Sequence, residues 1–177
     1  MVVWITGLSG SGKSTLCEAL ALLLNGHVPG LVRLDGDAVR AAFGGDLGYG
    51  EEDRVIQIKR LQRIAKILDG QGLTVLVAAL YAHPDLLAWN RSNFERYVEV
   101  YLAASLDLLA ARDTKGLYSR AARREITDVV GVDIPWHAPA AADLVFDADA
   151  CEAPSVLAHR VIAATRWLAE RFDSSPA

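Results

Sequence analysis

At 177 residues the chain has the length of one domain, able to bury about two-thirds of its unfolded surface, so a single domain over 1–177 is expected. Apolar residues at 52%, charged residues at 23%, and only 14 Gly and 6 Pro exclude a disordered, collagen-like or linker-like chain. Eighteen Lys and Arg against 22 Asp and Glu give a net charge of −4, the wrong sign for holding nucleic acid through its phosphates, so any basic site has to be local.

The longest apolar run, 73–82, is about half the length a membrane span needs, and no membrane partner is expected. Met1 runs straight into Val2-Val3-Trp4-Ile5 with no basic segment or cleavage site, which makes the cytoplasm the expected location. Cys17 and Cys151 lack metal-ligand or redox spacing and read as small buried hydrophobes.

In chain order, 2–6 reads as a strand ended by Gly7, and after a glycine-rich turn 16–24 reads as an apolar helix. A short strand over 31–34 precedes a turn with two aspartates and a glycine-rich stretch over 44–50. A long helix opens near Glu51, its buried stripe carried by Ile58, Leu61, Ala65 and Leu68 and its stop by Gly70 and Gly72. The nearly continuous apolar run 73–80 fits a strand covered on both faces, and Pro84 opens the next helix. Strands over 97–102 and 144–146, a helix over 105–112 and a closing helix over 154–172, striped by Leu157, Val161, Ala164 and Leu168, complete the series. The alternation predicts an α/β fold, a parallel five-stranded sheet with helices on both faces. The basic, then Pro/Gly/Ala-rich stretch 113–142 shows no convincing strand and reads as a lid, and 173–177 as a frayed tail.

The strongest chemical signal is Gly7-Leu8-Ser9-Gly10-Ser11-Gly12-Lys13-Ser14, a full G-x-x-x-x-G-K-[ST] match between strand and helix. Small residues let successive backbone N–H groups turn inward around phosphate oxygens, and the helix adds its positive end. Lys13 is expected at the β- and γ-phosphates of ATP, Ser14 on Mg²⁺, and Thr15 near the α-phosphate. Asp35 and Asp37 follow the second strand, at the sheet edge where ligands bind. Phosphoryl transfer uses a carboxylate near the metal, the role expected of Asp35, and one that receives the attacking hydroxyl's proton, the role expected of Asp37. One of the two could equally cap the helix expected from Ala38. His27, His83, His137 and His159 have no ligand spacing and read as surface or capping residues. A strand end and turn accounts for Asp143, Asp147 and Asp149 better than a metal cluster does.

Taken together, GLSGSGKST, LDGDAVR, DLGYGEEDR, RDTKGLY and GVDIPW, in this order over about residues 2–146, resemble the adenylylsulfate kinase (APS kinase) family. The resemblance implies a P-loop NTPase fold with a basic lid, and transfer of the γ-phosphate of MgATP to the 3′-hydroxyl of adenosine 5′-phosphosulfate (APS), a step of sulfate activation that gives PAPS. By matching position it gives Asp37 the substrate hydroxyl, Arg40 and Arg54 the phosphosulfate, Tyr49 the adenine face and Lys115 a contact from the lid. Arg112, Arg120, Arg123 and Arg124 become a basic segment that closes over ATP. Family members are often dimers, which makes a homodimer an option.

The chain also departs from the family pattern. Gln57 stands where the family has Asn, and Tyr81 replaces a serine that can carry phosphate, so no phosphoserine step is expected. Val129 replaces a stacking Phe, with Trp136 a candidate for the lost face, and Val130 replaces a Thr. These changes leave open a different acceptor, such as another 5′-modified nucleotide or an activated sugar. A non-catalytic NTP-binding switch is a further alternative, which Asp37, Arg40, Arg54 and the basic lid argue against.

Overall fold

A computed structural model of the chain describes residues 1–113 and 115–174. Strand β1 (Val2–Thr6) is buried at every position and occupies the centre of an all-parallel sheet, between β3 (Thr74–Ala79) and β4 (Tyr97–Ala103). With β2 (Leu31–Asp35) and β5 (Leu144–Asp147) at the edges the order is β2-β3-β1-β4-β5. The helices are α1 (Lys13–Leu24), α2 (Gly36–Ala42), α3 (Glu51–Gly70), α4 (Pro84–Asn93), α5 (Leu106–Arg112), α6 (Leu117–Ala122), α7 (Pro154–Ala164) and α8 (Arg166–Asp173).

Alternation along the strands divides the core in two. Val2, Trp4, Val75 and Val77 pack with Ile58 and Leu61 of α3 and Leu87 of α4. Val3, Ile5 and Leu76 pack with Leu16 and Leu20 of α1 and Val161 of α7. Both faces of β1 and β3 are therefore apolar, which is why these strands read as continuous hydrophobic runs. One charged group interrupts the first layer: Glu99 on β4 is 1% exposed, accepts from the Tyr97 hydroxyl at 2.9 Å and lies 3.6 Å from Arg91 of α4. Burial pushes its carboxyl above the usual range, so Arg91 and Tyr97 hold in place a group that burial alone would disfavour. Among the described residues no helix is long and apolar enough to cross a membrane.

Three expectations need correction. The closing helix is two helices broken at Thr165. Past Ile162 the buried positions shift to Thr165 and Leu168, leaving Ala164 exposed, a change of register that a straight stripe does not predict. The tail starts later than expected, because Asp173 still belongs to α8; positions 175–177 lie outside the described residues. Cys151 is exposed, in left-handed backbone at φ 52°, whereas Cys17 is buried as expected. The stretch 113–142 contains α6, whose first turn is capped by Asp113 accepting from the Tyr118 and Ser119 amides at 3.0 and 2.9 Å.

Gly7 shows how tightly the first loop is fitted against β4. A Cβ there would lie 2.6 Å from the Leu102 carbonyl oxygen, at φ +154°. Gly7→Ala is expected to lower stability by about 1–3 kcal/mol through overpacking, read as a lower denaturant midpoint at unchanged m-value.

Candidate active site

The C-terminal ends of β1, β2 and β3 open into one cavity of about 1260 Å³, roofed by the stretch after α5. Its volume exceeds the roughly 300–1,000 Å³ of a single small-molecule pocket, as a site for two nucleotides requires.

One half of the cavity is built by the loop leaving β1. Gly10 and Gly12 take positive φ (83° and 100°), a conformation open to glycine without strain, and α1 starts at Lys13 with no side-chain cap, so its first amides remain available. Ser9, Gly10, Gly12, Lys13, Ser14 and Thr15 line the space. Gly7 and Ser11 do not; Gly7 serves the turn against β4. The Ser11 hydroxyl is buried without a partner and lies against Gly7 rather than in the cavity. Lys13 Nζ donates to the Leu8 carbonyl at 2.7 Å, and burial brings its pKa down to about 8.

Ser14 and Asp35 meet at 2.6 Å, the serine hydroxyl donating to Asp35 Oδ2. Asp35 Oδ1 accepts from the amides of Asp37 and Ala38 at 2.9 and 3.2 Å, so Asp35 is the cap of α2 and Asp37 is released from that task. Although burial pushes the Asp35 carboxyl up, the Ser14 hydroxyl and these amides outweigh it and hold it below the ordinary value. An ionised carboxylate beside a hydroxyl at the phosphate loop fits Mg²⁺, which takes few protein ligands and completes its shell with water and substrate phosphate.

Asp37 points into the cavity and pairs with Lys115 at 2.5 Å. The hydrogen bond that Lys115 donates to Asp37 raises the Lys115 pKa. Both side chains are mostly exposed, at 65% and 72%, so the pair is weak and readily exchanged for a substrate hydroxyl.

Beyond Asp37 lies a basic and aromatic pocket. Arg40 and Arg54 both face the Tyr49 ring, 4.9 and 5.8 Å from its centre. Arg40 also holds the glycine-rich loop through the Leu47 and Gly48 carbonyls at 3.2 and 2.6 Å. Burial, followed by the charge of Arg40, holds Arg54 below its usual pKa, and Arg54 Nε is buried without a partner. Two crowded guanidiniums, one with an unsatisfied donor, make a seat for an anion.

Several expected residues take different positions. Gln57 lines the cavity, but its amide is engaged within the protein: Nε2 donates to the Gly36 carbonyl at 2.9 Å and Oε1 accepts from Arg60 at 3.3 Å. It thus fixes the start of α2. Val129 is 1% exposed, packs in the core and does not line the cavity, so it is not placed to contact substrate; Ile126, Thr127 and Asp128 form that wall instead. Trp136 is turned to Tyr101, donating to its hydroxyl at 3.3 Å, and does not supply a second stacking face. Val129→Phe is therefore expected to overpack the core and lower stability by about 1–3 kcal/mol, measured as a drop in Tm.

Arg112 and Arg120 line the cavity, whereas Arg123 pairs with Glu125 at 2.6 Å and, like Arg124, does not line it. Two contacts escaped the sequence reading. The Tyr118 hydroxyl donates to the Ser9 carbonyl at 2.9 Å, latching α6 to the phosphate loop. Tyr81, at the position of the missing serine, donates to Glu51 at 2.5 Å, and burial raises its pKa. His83 accepts from the Asp85 amide at 3.3 Å to cap α4, Asp147 accepts from the Asp149 amide at 2.9 Å in a local turn, and the Asp149 carboxylate accepts from the Ser105 amide at 3.2 Å, tying that turn to the start of α5.

Residues 1–147 match the family model described as adenylylsulphate kinase. An adenylyl-sulfate kinase of Paraburkholderia xenovorans is 42% identical over 84% of this chain and 83% of its own length. A cytidine diphosphoramidate kinase of Campylobacter jejuni is 37% identical over 82% of this chain and 85% of its own. The Mycobacterium tuberculosis APS kinase solved in complex with AMPPNP and APS superposes with a TM-score of 0.84 at 34% identity, over 93% of this chain and 96% of that one. The chain belongs to the adenylylsulphate kinase family, as an ATP- and Mg²⁺-dependent phosphotransferase that acts on a hydroxyl acceptor.

Proposed function

We propose that the chain transfers the γ-phosphate of MgATP to the 3′-hydroxyl of APS, giving PAPS and ADP. The observation that carries this reading is the Asp37–Lys115 pair, set in one cavity with the phosphate loop and with the Arg40, Arg54 and Tyr49 pocket. Loop amides and Lys13 hold the β- and γ-phosphates; Arg40 and Arg54 hold the phosphosulfate, with the base on Tyr49. Asp37 exchanges its hydrogen bond with Lys115 for one from the substrate's 3′-hydroxyl. As the 3′-oxygen bonds to the γ-phosphorus, the bond to the ADP oxygen breaks and the proton passes to Asp37, which releases it to solvent with product. Ser14, with Asp35 behind it, would hold Mg²⁺, which when bound would supply neutralisation of the phosphate charge. Tyr81 in place of serine supports a cycle without a phosphoenzyme at that position. The ATP requirement supports a cytoplasmic location, and the family's frequent dimers support a homodimer.

The Campylobacter relative's name offers a second reading, a cytidine 5′-diphosphoramidate acceptor, with the departure at Tyr81, which lines the cavity, on its side. Initial rates of ADP release with each acceptor separate the two. The APS reading expects kcat/KM for APS to exceed that for the cytidine compound by at least about tenfold, or roughly 1.4 kcal/mol; the reverse order overturns it.

A further inference from the structure

We infer that the carboxylate of Asp128 reads the exocyclic amine of the acceptor's base, making this residue a specificity determinant for amino-bearing bases; the inference rests on the APS reading above. Asp128 lies on the wall that replaces the expected Val129 contact. Its backbone is fixed from both sides: its amide donates to Asp133 Oδ2 at 2.6 Å, and its carbonyl accepts from Arg54 Nη2 at 2.7 Å. Arg54 in turn faces the Tyr49 ring. The Asp128 backbone is thus joined to the aromatic platform through the Arg54 guanidinium, and on this inference its carboxylate, on the cavity wall, meets the edge of the base that stacks on Tyr49.

One carboxylate oxygen is already engaged. Thr127 donates to Oδ2 at 3.1 Å, while Oδ1 has no hydrogen-bond donor among the described residues. An ionised carboxylate only accepts hydrogen bonds. It pairs with the amino group of adenine or cytosine and sets lone pair against lone pair with the carbonyl at the same place in hypoxanthine or uracil, so that selection comes from repulsion as much as attraction. The left-handed backbone at φ 65° suits Asp or Asn at this position, so Asp128→Asn keeps the loop while giving the side chain both a donor and an acceptor.

The test compares kcat/KM for APS, inosine 5′-phosphosulfate and 2′-deoxy-APS in the wild type, Asp128→Ala and Asp128→Asn, with the KM for MgATP reporting an intact donor site. The wild type is expected to prefer APS over the inosine compound by at least about tenfold. Asp128→Ala is expected to bring that ratio to within about threefold of unity, and Asp128→Asn to gain on the inosine compound while keeping APS turnover; both magnitudes follow the discrimination of a site built around one polar contact. The ratio to 2′-deoxy-APS should stay constant. An unchanged inosine ratio in the variants overturns the inference, as does a shift confined to 2′-deoxy-APS, which assigns the carboxylate to the ribose. Loss of all turnover in both variants with equilibrium MgATP binding unchanged overturns it too, by making Asp128 a general positioning residue. Failure of the wild type on APS itself instead sinks the reading beneath it.

Discussion

Asp37→Ala is expected to slow phosphoryl transfer to APS by about 10²–10⁴-fold, the usual contribution of a positioned general base. Affinity for MgATP should hardly change, because Asp37 lies on the acceptor side of the cavity while the phosphate loop is built by other residues. The geometry sharpens this expectation. Asp35, not Asp37, carries the helix cap, so removing the Asp37 side chain leaves α2 its N-terminal hydrogen bonds. Loss of the partner leaves Lys115 mostly exposed and solvated, which keeps the stability effect small. Single-turnover rates and equilibrium MgATP binding on the same preparation separate the two quantities. Retention of more than about a tenth of the wild-type rate, a loss below roughly 1.4 kcal/mol, means that the proton goes elsewhere.

Lys13→Met is expected to reduce turnover by about 10²–10³-fold, comparable to the loss of one preorganised charge donor. The lysine also brings a pH signature. In the ligand-free protein burial lowers its pKa to about 8, whereas ATP phosphates beside the ammonium favour the charged form and raise it. Above pH 8 the free protein therefore holds this lysine largely neutral, and binding has to take up a proton; below that pH the lysine is already charged and none is taken up. MgATP affinity consequently falls as pH rises through about 8, by up to about tenfold per unit until the pKa of the complex is reached. Calorimetry in two buffers of different ionisation enthalpy, at about pH 8.5, should show uptake of most of a proton in the wild type. Equal uptake in Lys13→Met assigns the proton to another group.

The elements were read with most success where one periodicity governed a whole segment. Buried on both faces, β1 and β3 could only be continuous apolar runs, and α3 carried an unbroken stripe from Ile58 to Ala65. The closing helix shows the limit of that reasoning: the stripe through Ala164 is compatible with a straight helix, and only the packing of Thr165 and Leu168 selects the break. The lid helix α6 has six residues, too few for a period to show, and depends on Asp113 and the Tyr118 latch.

For the site, the phosphate loop was readable because its chemistry is local: glycines, lysine and serine act within one turn. The acceptor pocket joins residues from α2, the following loop, α3 and the lid, and no single periodicity tells which face each of them presents. Val129 therefore looked like a substrate contact by matching position, but its side chain points into the core and its neighbour Asp128 lines the cavity. Gln57 looked like a contact too, and its amide is spent on Gly36 and Arg60.

The central claim, transfer to the 3′-hydroxyl of APS, is tested most directly by incubating the purified protein with MgATP and APS and assigning the product by mass spectrometry and phosphorus NMR. Stoichiometric ADP and a compound carrying one added phosphate at the ribose 3′-position is the predicted result. Absence of that compound, or ADP formed at the same rate without APS, contradicts the account.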